Sequence, residues 1–497
     1  MLSVFRGSFW GRRDMDWRRV VLLNICVWQF VLVFIVSGNA VFRVKHKFSA
    51  SEMSLSALRA HDARRHGRML SSIDMPLGGN GNPSDSGLYF TKIRIGNPSK
   101  DYYVQVDTGS DILWVNCAGC DKCPAKSDLG IKLTLYDPKG SSSARVVSCD
   151  DNLCTMIYPG STLPGCTTDT LCYYQVTYGD QSSTAGFFVE DYIHYDIVSG
   201  NPQLTMGNSS VVFGCGAKQA GQLSSSGEAL DGIIGFGQAN SSVLSQLAAA
   251  RKVKKMFAHC LDGSNGGGIF AIGEVVQPKL NTTPLLPHQM HYTAVMKSIE
   301  VGGDVISLST DGTTSRDQGE AIIDSGTTLA YLPDGVYESV MSMITSQQPG
   351  LKLLTVENQF KCFEYTGNVD DGFPIVKLLF ENSLTLAVYP HEYLFQVREV
   401  VWCFGWQNSG LQSKDGNDVT LLGDLVLSNK LVLYDLENQA IGWTEYNCSS
   451  SIKMKDDESG AVYAINAEDI SSAISLLSDR ILTFLLGLIT MLFIIYH

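Results

Sequence analysis

Two segments of the chain end an apolar strand pattern on an aspartate. Residues 104–115 read VQVDTGSDILWV, and residues 321–333 read AIIDSGTTLAYLP. In each segment a carboxyl group follows a run of residues that a sheet would bury. A buried carboxylate is costly unless it is hydrogen-bonded or paired. The repeated setting of Asp107 and Asp324 therefore predicts that the two carboxyl groups act together.

The strand pattern extends well beyond these two segments. Short apolar runs rich in β-branched residues, separated by glycine, asparagine and serine, continue from residue 88 to residue 445. Helix-like spacing of apolar residues occurs at about 241–251 and about 334–346. The chain is therefore predicted to be a mostly β protein with few helices.

An internal echo in the sequence predicts two lobes. In each half the aspartate motif is followed later by two apolar residues and a glycine, at Ile233–Gly237 and at Leu421–Asp424. Glycine inside a strand run often marks a close approach of two backbones. Each run is therefore expected to pass through the loop that carries its aspartate. Prolines near residue 284 predict a first lobe at 81–283 and a second lobe at 284–448.

The chemistry available to such a pair is proton transfer. Two carboxyl groups about 3 Å apart share one proton, because both do not ionise easily. A water held between Asp107 and Asp324 can lose a proton to one group while the other protonates an amide carbonyl oxygen. Neighbouring hydroxyls are expected to donate to the carboxylate oxygens, and neighbouring glycines to let backbone amides approach. These dyad-supporting residues are Thr108, Gly109, Ser110, Ser325, Gly326 and Thr327.

The motifs together resemble those of the pepsin-like aspartic proteases, in particular the plant nepenthesin-type group and its glycosylphosphatidylinositol (GPI)-anchored subgroup. The resemblance covers roughly residues 85–447. Its motifs are DTGSDILWVNC, YGDQSSTAGFF, FGCG, DGIIGFG, AIIDSGTTLAYLP, LLGD and VLYDLENQAIGW. The resemblance implies a mostly β, bilobal pepsin-like fold with the active-site cleft between two β lobes. It also implies that Asp107 and Asp324 are the catalytic pair.

The same resemblance implies a flap that closes over bound peptide. The flap tyrosine falls on Tyr178, in a hairpin with Gly179 and Asp180, and its hydrogen-bonding tryptophan falls on Trp114. The implied activity is that of an aspartic endopeptidase, made as a zymogen, which cleaves polypeptides in acid next to apolar or aromatic residues. No metal or organic cofactor is implied, because the nucleophile is water, and a monomer is expected.

The charge distribution agrees with this interpretation. The formal net charge is −13, although the first 80 residues are basic. An acidic body argues against a nucleic-acid partner and suits a protein that works in acid, where many carboxylates are neutral. The segment 41–80 is interpreted as a basic propeptide followed by a linker rich in glycine, proline and serine. Its positive charge would cover the acidic body at neutral pH.

Both ends of the chain resemble targeting signals. Residues 1–40 have the basic segment, apolar run and small-residue exit of a secretory signal peptide, with an uncleaved signal anchor as the alternative. Residues 449–497 have the polar spacer and apolar run of a GPI-attachment signal, with a retained membrane helix as the alternative. Ser459 and Ser471 are the candidate attachment sites. The expected location is the outer face of the plasma membrane, or else the cell wall or extracellular space.

Cysteine usage agrees with secretion. Of the 13 cysteines, all but Cys26 lie between residues 117 and 448. The spacing C-x2-C-x2-C that begins at residue 117 could bind zinc, but in a secreted chain it favours disulfides. By resemblance Cys362 pairs with Cys403, and Cys215 with Cys448 is a candidate link between the lobes. The disulfide candidates are Cys117, Cys120, Cys123, Cys149, Cys154, Cys166, Cys172, Cys215, Cys260, Cys362, Cys403 and Cys448.

Four N-x-S/T sequons fall in the region expected to be extracellular, and their acceptors are predicted glycosylation sites. The acceptors are Asn208, Asn240, Asn281 and Asn447.

Two other functions compete with the protease. A catalytically silent pepsin-fold protein that binds a protein or glycan would usually lack one aspartate or its glycine, whereas both motifs are intact here. A structural cell-surface glycoprotein would explain the sequons and the anchor but not the two motifs. The discriminating observation is whether a proteolytic activity is lost on Asp107→Asn.

Overall fold

The computed structural model describes residues 71–471 apart from several short segments. The segments left out are 158–165, 167–168, 199–204, 309–318, 358, 413–415, 417 and 457–459. The predicted signal peptide, the basic segment at 41–70 and the apolar run beyond residue 480 lie outside the described residues. Among the described residues, no helix is both long enough and apolar enough to cross a membrane.

The described chain is built mainly from strands. Those up to residue 277 are β1 (Ile73–Asp74), β2 (Leu77–Asn80), β3 (Leu88–Ile95), β4 (Lys100–Asp107), β5 (Leu113–Asp121), β6 (Arg145–Val146), β7 (Tyr173–Thr177), β8 (Ser183–Ile197), β9 (Thr205–Ala220), β10 (Gly232–Gly235), β11 (Met256–Leu261), β12 (Gly268–Ile272) and β13 (Glu274–Gln277). Their side chains alternate as the sequence predicts. In the second half of β3, for example, Ile93 and Ile95 are buried, Lys92 is exposed and Arg94 is partly exposed.

The second half of the chain continues in strands. They are β14 (Asn281–Pro284), β15 (Thr293–Val301), β16 (Asp304–Ser307), β17 (Glu320–Ile323), β18 (Ala330–Pro333), β19 (Leu353–Val356), β20 (Phe360–Glu364), β21 (Val376–Phe380), β22 (Thr385–Val388), β23 (Leu394–Arg398), β24 (Val401–Phe404), β25 (Trp406–Ser409), β26 (Val419–Leu422), β27 (Lys430–Asp435), β28 (Ala440–Glu445), β29 (Ser451–Lys455) and β30 (Val462–Asn466).

Helices are short and few among the described residues. The α-helices are α1 (Asn152–Ile157), α2 (Val243–Ala249), α3 (Asp334–Ser346), α4 (Val369–Gly372) and α5 (Asp424–Leu427). Short 3-10 turns occur at Pro138–Gly140, Gly221–Ser224, Glu381–Ser383 and Pro390–Glu392. The two helical patterns in the sequence correspond to α2 and α3, and the prediction of a mostly β fold is confirmed.

Two large sheets organise the described strands. The first has the order β14-β28-β27-β11-β12-β1-β8-β9-β5-β10-β4-β3-β2 along its main path. The second has the order β22-β21-β15-β17-β26-β18-β25. Strands β14, β27 and β28 belong to the second half of the sequence but pair into the first sheet, where β11 and β27 are antiparallel neighbours. The two lobes are therefore joined by continuous strand pairing as well as by the chain.

Each sheet contains the crossing that the glycine-containing runs predict. Strand β10 lies between β4 and β5, parallel to the first and antiparallel to the second. Strand β26 lies in the same way between β17 and β18. The glycines are required by contact: a Cβ atom would lie 2.4 Å from the carbonyl carbon of Asp111 at Gly235, and 2.3 Å from the carbonyl oxygen of Thr327 at Gly423. The predicted close backbone approach is confirmed in both lobes.

Residues 71–80, which the sequence places at the end of the predicted propeptide and linker segment 41–80, are part of the folded body. They form β1 and β2, which pair with β8, β12 and β3. Ile73 and Leu77 are 1% and 0% exposed and belong to the main hydrophobic core. The local composition of glycine, proline and serine indicated a linker, but two apolar residues buried at strand positions decide the structure here.

The polar spacer predicted from residue 449 also differs from the structure. Strands β29 and β30 form a hairpin that pairs with β13. Ile452, Met454 and Ile465 of this hairpin are buried in a hydrophobic cluster. Beyond it, Leu77 and Asp469 lie side by side in a parallel bridge. The folded body therefore extends past the predicted lobe boundary, because alternation within the polar segment puts its few apolar residues on one face.

Six disulfides cross-link the described chain, as the even cysteine count predicts. The pairs are Cys117–Cys215, Cys120–Cys123, Cys149–Cys166, Cys154–Cys172, Cys260–Cys448 and Cys362–Cys403. The predicted Cys362–Cys403 pair is confirmed, and the preference for disulfides over zinc at the C-x2-C-x2-C spacing agrees with these pairings.

The predicted link between Cys215 and Cys448 is wrong. Cys215 lies on β9 directly beside β5, so it pairs with Cys117 inside the first lobe. Cys448 follows β28 and pairs instead with Cys260 on β11, which is two strands away in the same sheet. A disulfide does connect the two predicted lobes, but the pairing of neighbouring strands gives Cys448 the partner Cys260 in the first lobe.

Candidate active site

The two aspartate loops have the same local construction. Asp107 is the last residue of β4, and Asp324 directly follows β17. The amide of Gly109 donates to Asp107 Oδ1 at 2.8 Å, and the amide of Gly326 donates to Asp324 Oδ1 at 2.8 Å. A hydroxyl three residues after each aspartate donates to its Oδ2. These hydroxyls belong to Ser110 and to Thr327, the latter at 2.7 Å.

The two loops lie face to face. A Cβ atom at Gly109 would lie 2.6 Å from both carboxylate oxygens of Asp324, and one at Gly326 would lie 2.0 Å from Asp107 Oδ1. Each glycine therefore occupies the space in front of the opposite carboxylate. The structure brings together the two aspartate loops that the sequence singles out. Only glycine, which has no Cβ atom, lets each loop come this close to the carboxylate of the other.

The hydroxyls of Thr108 and Ser325 do not support the carboxylates in the way predicted. Thr108 Oγ1 accepts from the amide of Ser325 at 2.9 Å and donates to the carbonyl of Ile323 at 3.4 Å. This side chain therefore bridges the two loops rather than bonding to a carboxylate. Ser325 Oγ is buried without a hydrogen-bond partner among the described residues. The direction of each side chain along the turn, which the sequence does not show, decides these contacts.

Burial and a neighbouring charge change the acidity of this site. Asp107 is 6% exposed and Asp324 is 8% exposed. Burial raises the pKa of Asp107 and the charge of Asp324 raises it further, although hydrogen bonds from Ser110 and Gly109 oppose the change. One carboxyl group of the pair therefore keeps a proton at a pH where a solvated aspartate would lose it. With one proton shared between them, one carboxyl group can act as the general acid while the other acts as the general base.

A third buried carboxyl group lies beside the pair. Asp424, in the LLGD motif, is 1% exposed, and its amide donates to the carbonyl of Thr327 at 2.7 Å. Burial raises the pKa of Asp424 well above its usual value, and the charges of Asp324 and Asp107 raise it further. In the sequence, the LLGD motif predicts a close backbone approach through its glycine and predicts no role for Asp424. The sequence does contain a signal for a buried carboxyl group here, because Asp424 follows an apolar run as Asp107 and Asp324 do.

We expect Asp424→Asn to flatten the dependence of stability on pH. The folded state raises the pKa of this carboxyl group, so it keeps a proton that the unfolded chain releases above a pH of about 4. The free energy of unfolding of the wild type should therefore fall as the pH rises from about 4 towards 7. The variant should lose this contribution, and its stability relative to the wild type should increase over the same range.

Chemical denaturation at several pH values checks this expectation. Asp304→Asn, at an exposed position on β16, is the matched control and should leave the slope unchanged. An Asp424→Asn variant with the wild-type slope would contradict the assignment of a neutral carboxyl group at this position.

The predicted flap is a hairpin between β7 and β8. Its ends are closed by a bond from the amide of Tyr178 to the carbonyl of Ser182 at 2.9 Å. Asp180 Oδ1 accepts from the amide of Ser182 at 2.9 Å, which shapes the turn. Gly179 at the tip has no atom near the position of a Cβ. Trp114 Nε1 donates to the hydroxyl of Tyr178 at 2.7 Å, so the predicted partners lie in contact.

We expect Trp114→Phe to lower kcat/KM by about tenfold, because the hydroxyl of Tyr178 loses its donor and the flap loses its position at a cost of about 1.4 kcal/mol. Trp443→Phe is the matched control: Trp443 is also buried, and its Nε1 donates to the carbonyl of Thr385 at 2.9 Å, in contact with the second lobe. Steady-state kinetics and thermal unfolding of both variants separate the effects. A similar loss of kcat/KM in both variants would contradict a specific role for Trp114.

The remaining predicted site residues have different surroundings. The four sequon asparagines Asn208, Asn240, Asn281 and Asn447 are exposed, as carriers of a glycan would be.

Of the two candidate anchor sites, Ser459 lies outside the described residues. Ser471 is described, and its hydroxyl accepts from the amide of Gly79 at 2.7 Å. No group of histidine, cysteine or acidic residues suited to a metal occurs in the part of the chain that the structure describes.

Comparisons with known proteins agree with this geometry. Residues 89–274 match the family model described as xylanase inhibitor N-terminal, and residues 291–445 match xylanase inhibitor C-terminal. Aspartic proteinase 36 of Arabidopsis thaliana is 53% identical over 465 residues, covering 93% of this chain and 95% of that protein. Aspartic proteinase 39 of the same plant is 48% identical over 480 residues, covering 96% and 99%.

A solved structure shares the fold. The crystal structure of basic 7S globulin from soybean matches with a TM-score of 0.58 at 20% identity, covering 76% of this chain and 96% of that one. This likeness supports the two-lobed pepsin-like architecture expected from the sequence.

Proposed function

The chain belongs to the family of pepsin-like aspartic proteinases, and we propose that it is a secreted, cell-surface enzyme that hydrolyses peptide bonds in acid with a water held between Asp107 and Asp324. Aspartic endopeptidase activity follows from the family. The secretion, the anchor and the side-chain preference are the proposed parts. The observation that carries the mechanism is the face-to-face arrangement of two equally constructed aspartate loops.

The hydrogen bonds of the pair explain how it would work. Each carboxylate receives one backbone amide and one hydroxyl, and these bonds hold both groups in fixed planes. The ionised group accepts a proton from the water, whose oxygen bonds to the carbonyl carbon of the peptide bond, while the protonated group donates its proton to the carbonyl oxygen. The resulting diol then collapses as a proton reaches the leaving amine. The two groups exchange roles in each turnover, so the proton belongs to the pair.

The surroundings of the flap support a preference for apolar side chains. Trp114 belongs to a buried hydrophobic cluster, and Tyr178 packs against this cluster together with other partly buried side chains, among them Ile112, Val176 and Leu223. Clefts lined by such side chains bind apolar groups and orient them with few polar contacts. We therefore propose that substrates place an apolar or aromatic residue next to the bond that is cleaved.

The proposed location rests on the terminal segments of the sequence and on the disulfides. Six disulfides suit an oxidising compartment. The apolar run after residue 480 suits a GPI-attachment signal, and the basic segment at 41–70 suits a propeptide. A phosphatidylinositol-specific phospholipase C should release the protein from intact cells. A protein that stays bound and keeps an epitope placed after Tyr496 would indicate a retained helix instead.

The activity is tested by digestion of a denatured protein at acid pH, with and without pepstatin, followed by sequencing of the cleavage sites. We expect cleavage next to apolar residues that pepstatin blocks and that Asp107→Asn abolishes. The matched control is Asp334→Asn, an exposed aspartate at the start of α3, which should cleave at the wild-type rate. A folded, propeptide-free protein without activity would instead favour a catalytically silent binding protein.

A further inference from the structure

One disulfide differs from the other five in its exposure. Cys120 lies near the end of β5 and Cys123 lies just after that strand, and both are partly exposed to solvent. The neighbouring residues Ala118, Gly119 and Lys122 are exposed. In the Cys149–Cys166 pair only Cys166 is partly exposed, and in the remaining four pairs of the described chain both cysteines are buried. Exchange begins when a thiolate reaches a disulfide sulfur along the S–S axis. Access therefore favours the Cys120–Cys123 pair over the rest.

The same disulfide contributes least to the fold. It joins residues only 3 apart, whereas the other pairs span 17 to 188 residues. The stabilisation that a disulfide gives by restricting the unfolded chain grows with the length of the loop it closes. The neighbouring Cys117–Cys215 disulfide, which is buried, continues to hold β5 against β9 when the exposed pair is opened. Reduction of the exposed pair therefore leaves the first lobe cross-linked.

A hydrogen-bond acceptor lies beside Cys123 and is available to its reduced thiol. Cys123 Sγ lies 2.9 Å from Asn116 Oδ1, and Asn116 is a buried residue held by a bond from Gln219 Nε2 at 2.8 Å. In the disulfide the sulfur has no proton, but a reduced Cys123 thiol could donate to this oxygen. Lys122 lies between the two cysteines, where its positive charge favours a thiolate, and Asp121 beside it opposes the effect.

We propose that Cys120–Cys123 is a thiol–disulfide exchange site that accepts low-molecular-weight thiols and dithiols. A thiolate attacks Cys120 Sγ, a new S–S bond forms, and the bond to Cys123 breaks with its electron pair on Cys123 Sγ, which is then protonated. A second thiolate attacks the sulfur of the bound thiol in this mixed disulfide. The products are a Cys120–Cys123 dithiol and one molecule of the oxidised thiol, so two electrons pass to the protein.

Differential alkylation of the purified protein with its disulfides intact tests the proposal. The protein is incubated with increasing reduced glutathione or dithiothreitol, and free thiols are trapped with one isotopic label. After denaturation and full reduction, a second label marks the remaining cysteines for mass spectrometry. We expect Cys120 and Cys123 to react at least about tenfold faster than any other pair, while near-UV circular dichroism stays unchanged. Oxidised glutathione added to the dithiol form should restore the Cys120–Cys123 disulfide and release two molecules of reduced glutathione, because the second thiol of the pair resolves the mixed disulfide.

Two variants serve as controls. Cys120→Ser/Cys123→Ser should fold, and its first label should appear only with loss of tertiary structure. Cys154→Ala/Cys172→Ala removes a buried pair and should keep the early reaction at Cys120 and Cys123. The proposal is overturned if another pair in the wild type reacts first, or if Cys120 and Cys123 react only when the protein unfolds. Neither result bears on proteolysis, so this test is independent of the proposed function.

Discussion

Gly326→Ala is expected to lower the rate of proteolysis by at least about a hundredfold, although it adds a single methyl group. The new Cβ would lie 2.0 Å from Asp107 Oδ1 and 2.5 Å from its Cγ. Asp107 would have to move away from Asp324, and its bonds from Gly109 and Ser110 would be lost or weakened. A displacement of about 1 Å in a catalytic group costs about a hundredfold in rate, so we expect kcat/KM to fall by at least about that factor.

The control for this variant is Gly335→Ala. Gly335 lies in the first turn of α3, where no atom occupies the position of a Cβ. There alanine should leave activity unchanged and stabilise the helix by up to about 1 kcal/mol. Initial rates on a peptide substrate, corrected for the folded fraction, compare the two variants. A Gly326→Ala protein with near wild-type activity would contradict the close approach of the two loops.

A chain that ends at Ser450 is expected to be strongly destabilised, whereas one that ends at Ser471 should fold normally. The shorter chain keeps the Cys260–Cys448 disulfide but lacks the hairpin of β29 and β30. The hairpin buries Ile452, Met454 and Ile465. Full burial of an apolar side chain gives about 1.5–3 kcal/mol, so the loss is comparable with a total stability of about 5–15 kcal/mol.

Denaturation curves of the two truncated proteins check this expectation, and a pair of point variants refines it. Ile452→Ala should lower the free energy of unfolding by about 2–5 kcal/mol, because it empties a buried position. Lys453→Ala, at the adjacent exposed position, should change it by no more than about 0.5 kcal/mol. If the chain ending at Ser450 unfolds at the same denaturant concentration as the longer one, the hairpin is not part of the folded body.

The sequence predicts the catalytic pair well, because the chemistry needs rare residues in a rare setting. An aspartate followed by a hydroxyl residue and a glycine after an apolar run has few uses, and here it occurs twice. The crossing strands can be predicted for the same reason, because only glycine fits at positions 235 and 423, where two backbones approach closely. In these places local residue type and tertiary structure are closely linked.

Other features depend on contacts that local composition does not show. The strands at 73–80 and the hairpin after residue 450 are short, polar and rich in glycine or serine, and only their partners in the sheets give them structure. The disulfide partners of Cys215 and Cys448 are set by which strands are neighbours. The directions of the Thr108 and Ser325 hydroxyls depend on the opposite loop. Long-range pairing decides each of these cases.

The dependence of kcat/KM on pH for a single peptide substrate tests the shared proton most directly. The measurement covers pH 3–7 for the wild type, Asp107→Asn and Asp324→Asn. We predict a maximum in acid for the wild type, a fall towards neutral pH as the shared proton is lost, and a loss of about a hundredfold to ten-thousandfold in each variant. If either variant keeps the rate and the pH profile of the wild type, the two aspartates do not act as a pair.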